Sequence, residues 1–569
     1  MSAPRPALFS DGLVVLTEDI YADPANGAPS SAALGGKFAT GQNGTDTDSD
    51  DEESDDGLKG EPLNLSITQL LKVAATYRPV WLLHERLEAD HPPLPSNGGR
   101  PRECQFAEVT FVLVASWLLP EASKRLLFKQ LRDPEIWEPI VAAVETAYPD
   151  HPTRRLRSKA LSRRQFHTWR NVVAAHPEFD KLLDEFDEIA ADASICAGQF
   201  PANAPISHPQ TINTLTGDGK IVGARMKALI EHAAADVARG KKPRRHDPDA
   251  LQYTVSYENR ISSDPDDEDQ NDYALKRKWI RHAGYHIAHI SSRSPVKGIR
   301  IPQSIRLLKP PNPDEREGEC TLAVDMALKT NDYISKVGAE VTAFTYDGGM
   351  YTEHRSRLLD AGIIPVGRVQ RSAGDAYAER QLGYHSFKLR DGTKKDIPIT
   401  ALDATPSIQS RLADGRRITI GLEQTKLQWD PQAGRQVLFG HWKIPNQLGV
   451  PKKLRNARTI IQHNNTLNEI ENNKFRTRAL VPITENNPDF SRMHGHRQDS
   501  ESLNSDFERR LISGRANAVT RKRFQLELTG YQHSCCIRAL AEVFLTLRDS
   551  LPVVSSSIGV LAVVSGWSW

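Results

Sequence analysis

Asp347 closes an apolar run, Glu340-Val341-Thr342-Ala343-Phe344-Thr345-Tyr346, and Gly348-Gly349 follow it. Strand-forming residues dominate the run and the glycines stop it. A helical stretch, Tyr351 to Ala361, and a second apolar run, Ile363 to Val366, come next. In such a strand–helix–strand unit, the carboxyl end of the strand is where open α/β sheets gather their active sites. Asp-Gly is also a hairpin dipeptide, and the chain has six, at 11, 56, 218, 347, 391 and 414. Context separates Asp218 from the others, because it lies on the first candidate strand of the α/β section, within Thr211 to Gly223. A first-strand acid and a late-strand acid can lie side by side when the sheet order is not sequential. A third acid comes from His494-Gly495-His496-Arg497-Gln498-Asp499-Ser500-Glu501. Arg497 and Glu501 are four apart and share a helix face, and Glu508 lies seven further along it. Carboxylates converging from two strands and a helix could hold hard divalent ions, which prefer oxygen ligands. Asp325 and Asp272 compete with Asp218 for this role, and Glu508 competes with Glu501.

The elements that must position these acids follow from pattern. Residues 1–60 are rich in small and polar residues, show little apolar periodicity and read as a disordered tail. Between 46 and 56 they hold eight acids and no base; with those eight left out, the formal net charge of +1 becomes +9. A mildly basic body with an acidic tail suits a nucleic-acid partner. Residues 61–204 read as helical, with Ser66 to Tyr77, Phe106 to Leu119, Pro134 to Tyr148 and Glu178 to Ala191 as helices. Within this region, the stretch from Arg154 to Arg170 carries seven bases and no acid, interleaved with Leu, Phe and Trp. It reads as a helix that packs on one side and meets phosphate on the other, through Arg154, Arg155, Arg157, Arg163, Arg164 and Arg170.

Residues 205–375 alternate strands with helices and suit a mixed sheet flanked by helices. Residues 376–490 read as β-rich, with Asp-Gly turns at 391 and 414. Residues 491–550 return to helix, through Leu503 to Ile512, Arg521 to Leu528 and Ile537 to Leu547, and 551–569 form an apolar tail broken by serines. Five cysteines without a CxxC pair speak for a reducing compartment, and no secretory signal or membrane span is expected. There is no P-loop, dinucleotide fingerprint or zinc-type Cys/His cluster.

The segment from His494 to Leu540 resembles the C-terminal helix region of the DDE transposases of bacterial insertion sequences, and an actinobacterial group in particular. The carrying residues are His494-Gly495-His496-Arg497-Gln498-Asp499-Ser500-Glu501-Ser502-Leu503-Asn504, then Gly514-Arg515-Ala516 and Leu528-Thr529-Gly530-Tyr531. One such family has a signature of Tyr, two residues, Arg, three residues, Glu, six residues, Lys. Here those places hold His494, Arg497, Glu501 and Glu508, so His replaces Tyr and Glu replaces Lys. Tyr346-Asp347-Gly348-Gly349-Met350-Tyr351 looks like the second-Asp block of these enzymes, and Asp218-Gly219-Lys220-Ile221-Val222 like the first. The similarity spans about 205 to 545. It implies an RNase H-like core with a β-rich insertion before the third acid. It further implies metal-dependent cleavage and strand transfer at the element's inverted repeats. Asp218, Asp347 and Glu501 would be both catalytic acids and ligands of two Mg²⁺ (or Mn²⁺) ions, and Arg497 would hold a phosphate. The implied partners are double-stranded DNA, as terminal repeats and target, and a second copy of the chain in the DNA complex. The implied place is the bacterial cytoplasm, on the nucleoid when DNA-bound.

Overall fold

In a computed structural model, the structure describes residues 15–16, 66–90, 104–119, 124–226, 230–262, 273–309, 318–346, 350–367, 380–550 and 561–562, less a few interior stretches of one to three residues. The acidic run and most of the apolar C-terminal tail lie outside these residues. So does Asp347.

Seven helices follow the two-residue strand Val15–Leu16: α1 (Ile67–Thr76), α2 (Arg78–Asp90), α3 (Phe106–Leu118), α4 (Lys124–Gln130), α5 (Pro134–Ala147), α6 (Arg163–Ala174) and α7 (Phe179–Cys196). Their starts are set locally. Ser66 and Ser162 each form a capping box with a glutamine three residues on, Gln69 and Gln165. Asp133 caps α5 ahead of a proline at the first helical position. The Ser162 cap explains a departure from expectation. Helix begins only at Arg163, and Arg154 to Leu161 is irregular chain rather than part of a basic helix.

The sheet is built around β1 (Thr214–Gly223). Helix α8 (Ile230–Ala238), β2 (Leu251–Ser262), the 21-residue β3 (Tyr273–Arg293) and β4 (Arg300–Leu307) follow. Next come α9 (Glu319–Lys336), β5 (Ala343–Thr345), α10 (Thr352–Asp360) and β6 (Ile364–Val366). β1 pairs antiparallel with β3 on one side and parallel with β5 on the other, and β5 pairs parallel with β6. The far edge of β3 carries β4 along its later half and β2 along its earlier half, both antiparallel. The chain is therefore α/β, with a mixed sheet flanked by helices, as composition and pattern predict.

The period of two along the strands divides the sheet's two faces. Leu215, Ala288, Ile290 and Phe344 face one core with α9 and α10. Val222, Tyr285, Ile287, Ile305 and Leu307 face another. That second face is covered by α13 (Arg497–Arg510) and α14 (Arg521–Ser550).

Between β6 and α13 the expected β-rich region forms two small antiparallel sheets. The first orders β10 (Arg417–Gly421), β9 (Thr405–Arg411), β8 (Lys394–Leu402) and β7 (Arg380–Lys388). The second orders β11 (Glu423–Gln432), β12 (Arg435–Lys443) and β13 (Arg458–Gln462). Ile399, Ile408, Ile420, Trp442 and Ile461 give the two sheets a common core. The short α11 (Leu467–Glu471) and α12 (Pro488–Gly495) lead back to α13.

The C-terminal helix departs most from expectation. One 30-residue helix stands where two shorter helices were expected, and it is not set apart from the N-terminal helices. Leu526, Cys536, Ile537 and Leu540 belong to the core of α1–α7, whereas Phe524, Leu528, Tyr531 and Cys535 belong to the core beneath the sheet. A helix buried on two sides has no single apolar stripe, which is why periodicity missed it. Polar residues in its middle are buried but partnered. The Tyr77 hydroxyl and His533 Nδ1 are 2.9 Å apart, and Gln532 donates to the Gln303 carbonyl at 2.7 Å. Where α14 crosses α3, Gly530 is required, because a Cβ there would lie 2.8 Å from the Leu113 carbonyl oxygen.

Gly530→Ala is expected to push α14 off α3 and lower stability by about 1–3 kcal/mol in urea denaturation. Glu527, fully buried on α14, pairs with both Lys124 and Arg170. Glu527→Ala should cost about 3–5 kcal/mol in the same assay, because it strands two buried cations.

Candidate functional site

β1 carries Gly217-Asp218-Gly219-Lys220, and the strand's alternation sends these residues to opposite faces. On the α9 face both glycines leave room for neighbouring side chains. A Cβ on Gly217 would lie 2.8 Å from the Phe344 ring and 2.9 Å from the Tyr346 ring, and a Cβ on Gly219 would overlap the Glu319 carboxylate. Glu319 opens α9 and takes hydrogen bonds from the Tyr346 hydroxyl and from His286 Nε2. Burial works to raise its carboxyl, yet these donors hold it below the usual carboxylate range. The sequence reading missed Glu319. Its only signal was an acid in the first turn of a helix.

Asp218 and Lys220 point to the opposite face, toward α13. Asn504 Nδ2 donates to Asp218 Oδ2 at 2.8 Å, and the Gly219 amide donates to Oδ1 at 2.8 Å. The other end of the Asn504 amide meets His289, the cross-strand partner of Asp218, with Nε2 donating to Oδ1 at 3.1 Å. Because the amide nitrogen is committed to Asp218, its oxygen must accept, and His289 must carry its proton on Nε2. Complete burial, with Lys220 adding to it, pushes the His289 imidazole down to about 4. Asp218, Asn504 and neutral His289 thus form one hydrogen-bonded chain across strand, helix and strand.

Arg497, Glu501, Asn504 and Glu508 all lie on one stripe of α13. Glu508 pairs with Lys220 of β1 at 2.9 Å, so the stripe follows the strand. Glu501 is half-exposed and pairs with Arg497 at 2.6 Å. The structure therefore brings the helix of Glu501 to Asp218, and the side chain of that helix that touches Asp218 is Asn504. The rival Asp325 is elsewhere, paired with Arg357 of α10, and Asp272 lies outside the described residues. Among the described residues no three His, Cys, Asp or Glu side chains converge as a metal-ligating group.

Asp499 is a second residue that sequence reasoning passed over. It is buried in the first turn of α13 and accepts from His496 Nδ1 at 2.8 Å and from Arg300 at 2.8 Å, with Arg293 at 3.5 Å. Burial opposes the charge, but these donors keep the carboxyl low. Because Arg293 and Arg300 end β3 and begin β4, Asp499 fixes where α13 starts over the sheet.

Four of the expected DNA-facing arginines point inward. Arg154 pairs with Glu85 at 2.7 Å and lies over the Tyr148 ring. Arg155 donates to the carbonyls of Tyr148, Pro149, His151 and Arg154. Arg157 Nε donates to both carboxylate oxygens of the buried Glu108, and Arg170 reaches Glu527 at 2.9 Å. Their counter-charges are remote in sequence, so the local absence of acids was misleading. Arg163 and Arg164 are exposed. No helix among the described residues is long and apolar enough to cross a membrane.

No protein-family model matches this chain, and no curated protein matches it.

A pH dependence follows from the buried imidazoles. His289 is held near 4, and His463 and His533, also fully buried, near 3. Below pH 6.5 the unfolded chain gains protons that the folded chain refuses until those lower values. Stability should therefore fall on acidification from about 6.5 toward 4, by roughly 1.4 kcal/mol per pH unit for each such histidine. Urea denaturation at a series of pH values checks this, and a flat profile would contradict neutral, buried imidazoles.

Proposed function

We propose that this chain is a DNA transposase that cuts and rejoins phosphodiester bonds at the inverted repeats of its own insertion sequence. Its acids in this reading are Asp218, Asp347 and Glu501, with Arg497 beside a phosphate. The observation that carries the reading is the 2.8 Å contact from Asn504 to Asp218, which lays the helix of Glu501 along the strand of Asp218. The strand register adds to it. Thr216 and Thr345 are paired neighbours on parallel strands, and each stands two residues before an acid of the proposal. A sheet that is antiparallel on one side of β1 and parallel on the other, with helices on both faces, supports an RNase H-like form. The two small sheets between β6 and α13 suit the β-rich insertion of such a form.

The donor set suits the expected metal. Carboxylate oxygens on Asp218 and Glu501 match Mg²⁺ or Mn²⁺. Two such ions would activate the attacking oxygen and stabilise the leaving one. This chain's own contribution is to orient Asp218 through Asn504 and neutral His289, and to present Arg497 as a planar donor to phosphate. A homodimer holding two ends of double-stranded DNA is the assembly that goes with this reading.

One observation favours a second reading, a catalytically silent DNA-binding protein of the same descent. The group that α13 brings to Asp218 is an amide, and Glu501 is taken up by Arg497. Cleavage of duplex DNA bearing the element's ends, with Mg²⁺ or Mn²⁺, separates the two. The transposase reading expects nicking and joining by the wild type. It expects loss of both to background in Asp218→Asn and Glu501→Gln with duplex binding unchanged, and a slower but measurable reaction in Asn504→Ala. A wild type that binds the ends and never cuts them leaves the silent reading.

A further inference from the structure

We propose that the cleft between α4 and α6 is a phosphodiester-binding site that grips the backbone of duplex DNA. The cleft holds about 440 Å³ and is lined by Arg125, Leu126, Phe128, Lys129, Arg132 and Arg163. Four of these six side chains are cations, and none is an acid. Arg125, Lys129 and Arg132 are spaced by four and then three residues, so α4 and the turn after it present them on one face. Arg163 comes from the first position of α6. Phe128 of α4 packs against Phe166 of α6, with ring centroids 5.7 Å apart, and so fixes the two sets of cations beside each other.

All four cations are exposed. Among the described residues none of the four forms an ion pair with a carboxylate, and Arg163 donates only to His167, at 3.4 Å.. The layer beneath does not supply the missing charge. Lys124 and Arg170 share the single carboxylate of Glu527. His167 stays neutral, pushed down to about 4 by burial and then by Arg170, Arg163 and Lys124. Like charges held this close repel one another, and a bound polyanion relieves that repulsion. Three of the four are arginines, whose planar forks match phosphate oxygens better than they match a point charge. Leu126, 41% exposed at the rim, offers an apolar surface beside the cations.

The site rests on the transposase reading only for the source of its phosphate, which is DNA. It also relocates the expected DNA contacts. Of the basic stretch between 154 and 170 it keeps Arg163, and it adds three cations from α4 and the turn after it that the sequence reading did not single out.

The test is fluorescence anisotropy of the full-length chain with a short duplex, without divalent metal, over a range of salt concentrations. Lys129→Ala with Arg132→Ala, and separately Arg125→Ala with Arg163→Ala, should each weaken binding at least about tenfold. Each pair should also reduce the slope of log K against log salt by about 2. Lys452→Ala with Lys453→Ala removes the same charge from an exposed site in the insertion and should change binding less than about threefold. Thermal melts should match the wild type, because every substituted side chain is exposed. Unchanged affinity and slope in the cleft variants, or an equal loss in the control, would overturn the site. Tighter DNA binding by the cleft variants would also overturn it, and would point to the chain's own acidic segment, 46–56, as the occupant. Asp218→Asn separates this failure from failure of the transposase reading. If it binds normally and the wild type never cleaves, only the catalytic assignment falls.

Discussion

A carboxylate with no access to water holds this fold together. Glu527 lies inside α14, and its charge is tolerable only because Lys124 of α4 and Arg170 of α6 converge on it. Burial alone would raise its carboxyl, and the two cations hold it low instead. Helices from opposite ends of the chain must therefore assemble together. The same helix supports the sheet, where Gln525 donates to the Ile305 carbonyl at 2.7 Å and accepts from the Leu307 amide at 2.9 Å. It also supports α13, where the Tyr531 hydroxyl reaches the Leu503 carbonyl at 3.3 Å. The helix laid over Asp218 thus depends on a contact made near the N-terminal end of the described chain.

The candidate site follows from the two-residue period of β1. Asp218 turns to one face, and the glycines on either side of it turn to the other, where rings and the Glu319 carboxylate fill the space that side chains would take. One strand therefore separates two polar networks. On the α9 side, Glu319, His286 and Tyr346 form a tight cluster directly before position 347. On the α13 side, a neutral histidine fixes the orientation of an amide, and the amide fixes Asp218. Neither network needs a large helical charge, since each group is held by a neighbour on a different element.

Much of the fold was legible because its signals are local. The capping boxes at Ser66 and Ser162 require only residues three apart. The runs that became β1, β5 and β6 need only a pattern of side chains. The Asp-Gly turn at 391 is formed, with the Thr393 amide bonded to Asp391 at 2.9 Å and Gly392 at positive φ. α14 was harder, because burial on two sides removes the stripe that periodicity detects. The basic stretch misled for a related reason: Glu85, Glu108 and Glu527, which neutralise its arginines, stand 49 to 357 positions away from them, in no order that spacing could reveal.

The sequence by itself determined the α/β class, the β-rich region between 376 and 490, the acid at 218 on the sheet's first strand and the Arg497–Glu501 pair one helical turn apart. Each of these depends on neighbours within a few residues. Only the tertiary structure decided that Asn504, not Glu501, meets Asp218, that His289 stands behind it, and that Arg125, Lys129 and Arg132 join Arg163 in one cleft. Those outcomes depend on which face of a helix is turned toward which strand. That choice is made by the packing of whole elements around buried charge, and no short-range pattern encodes it.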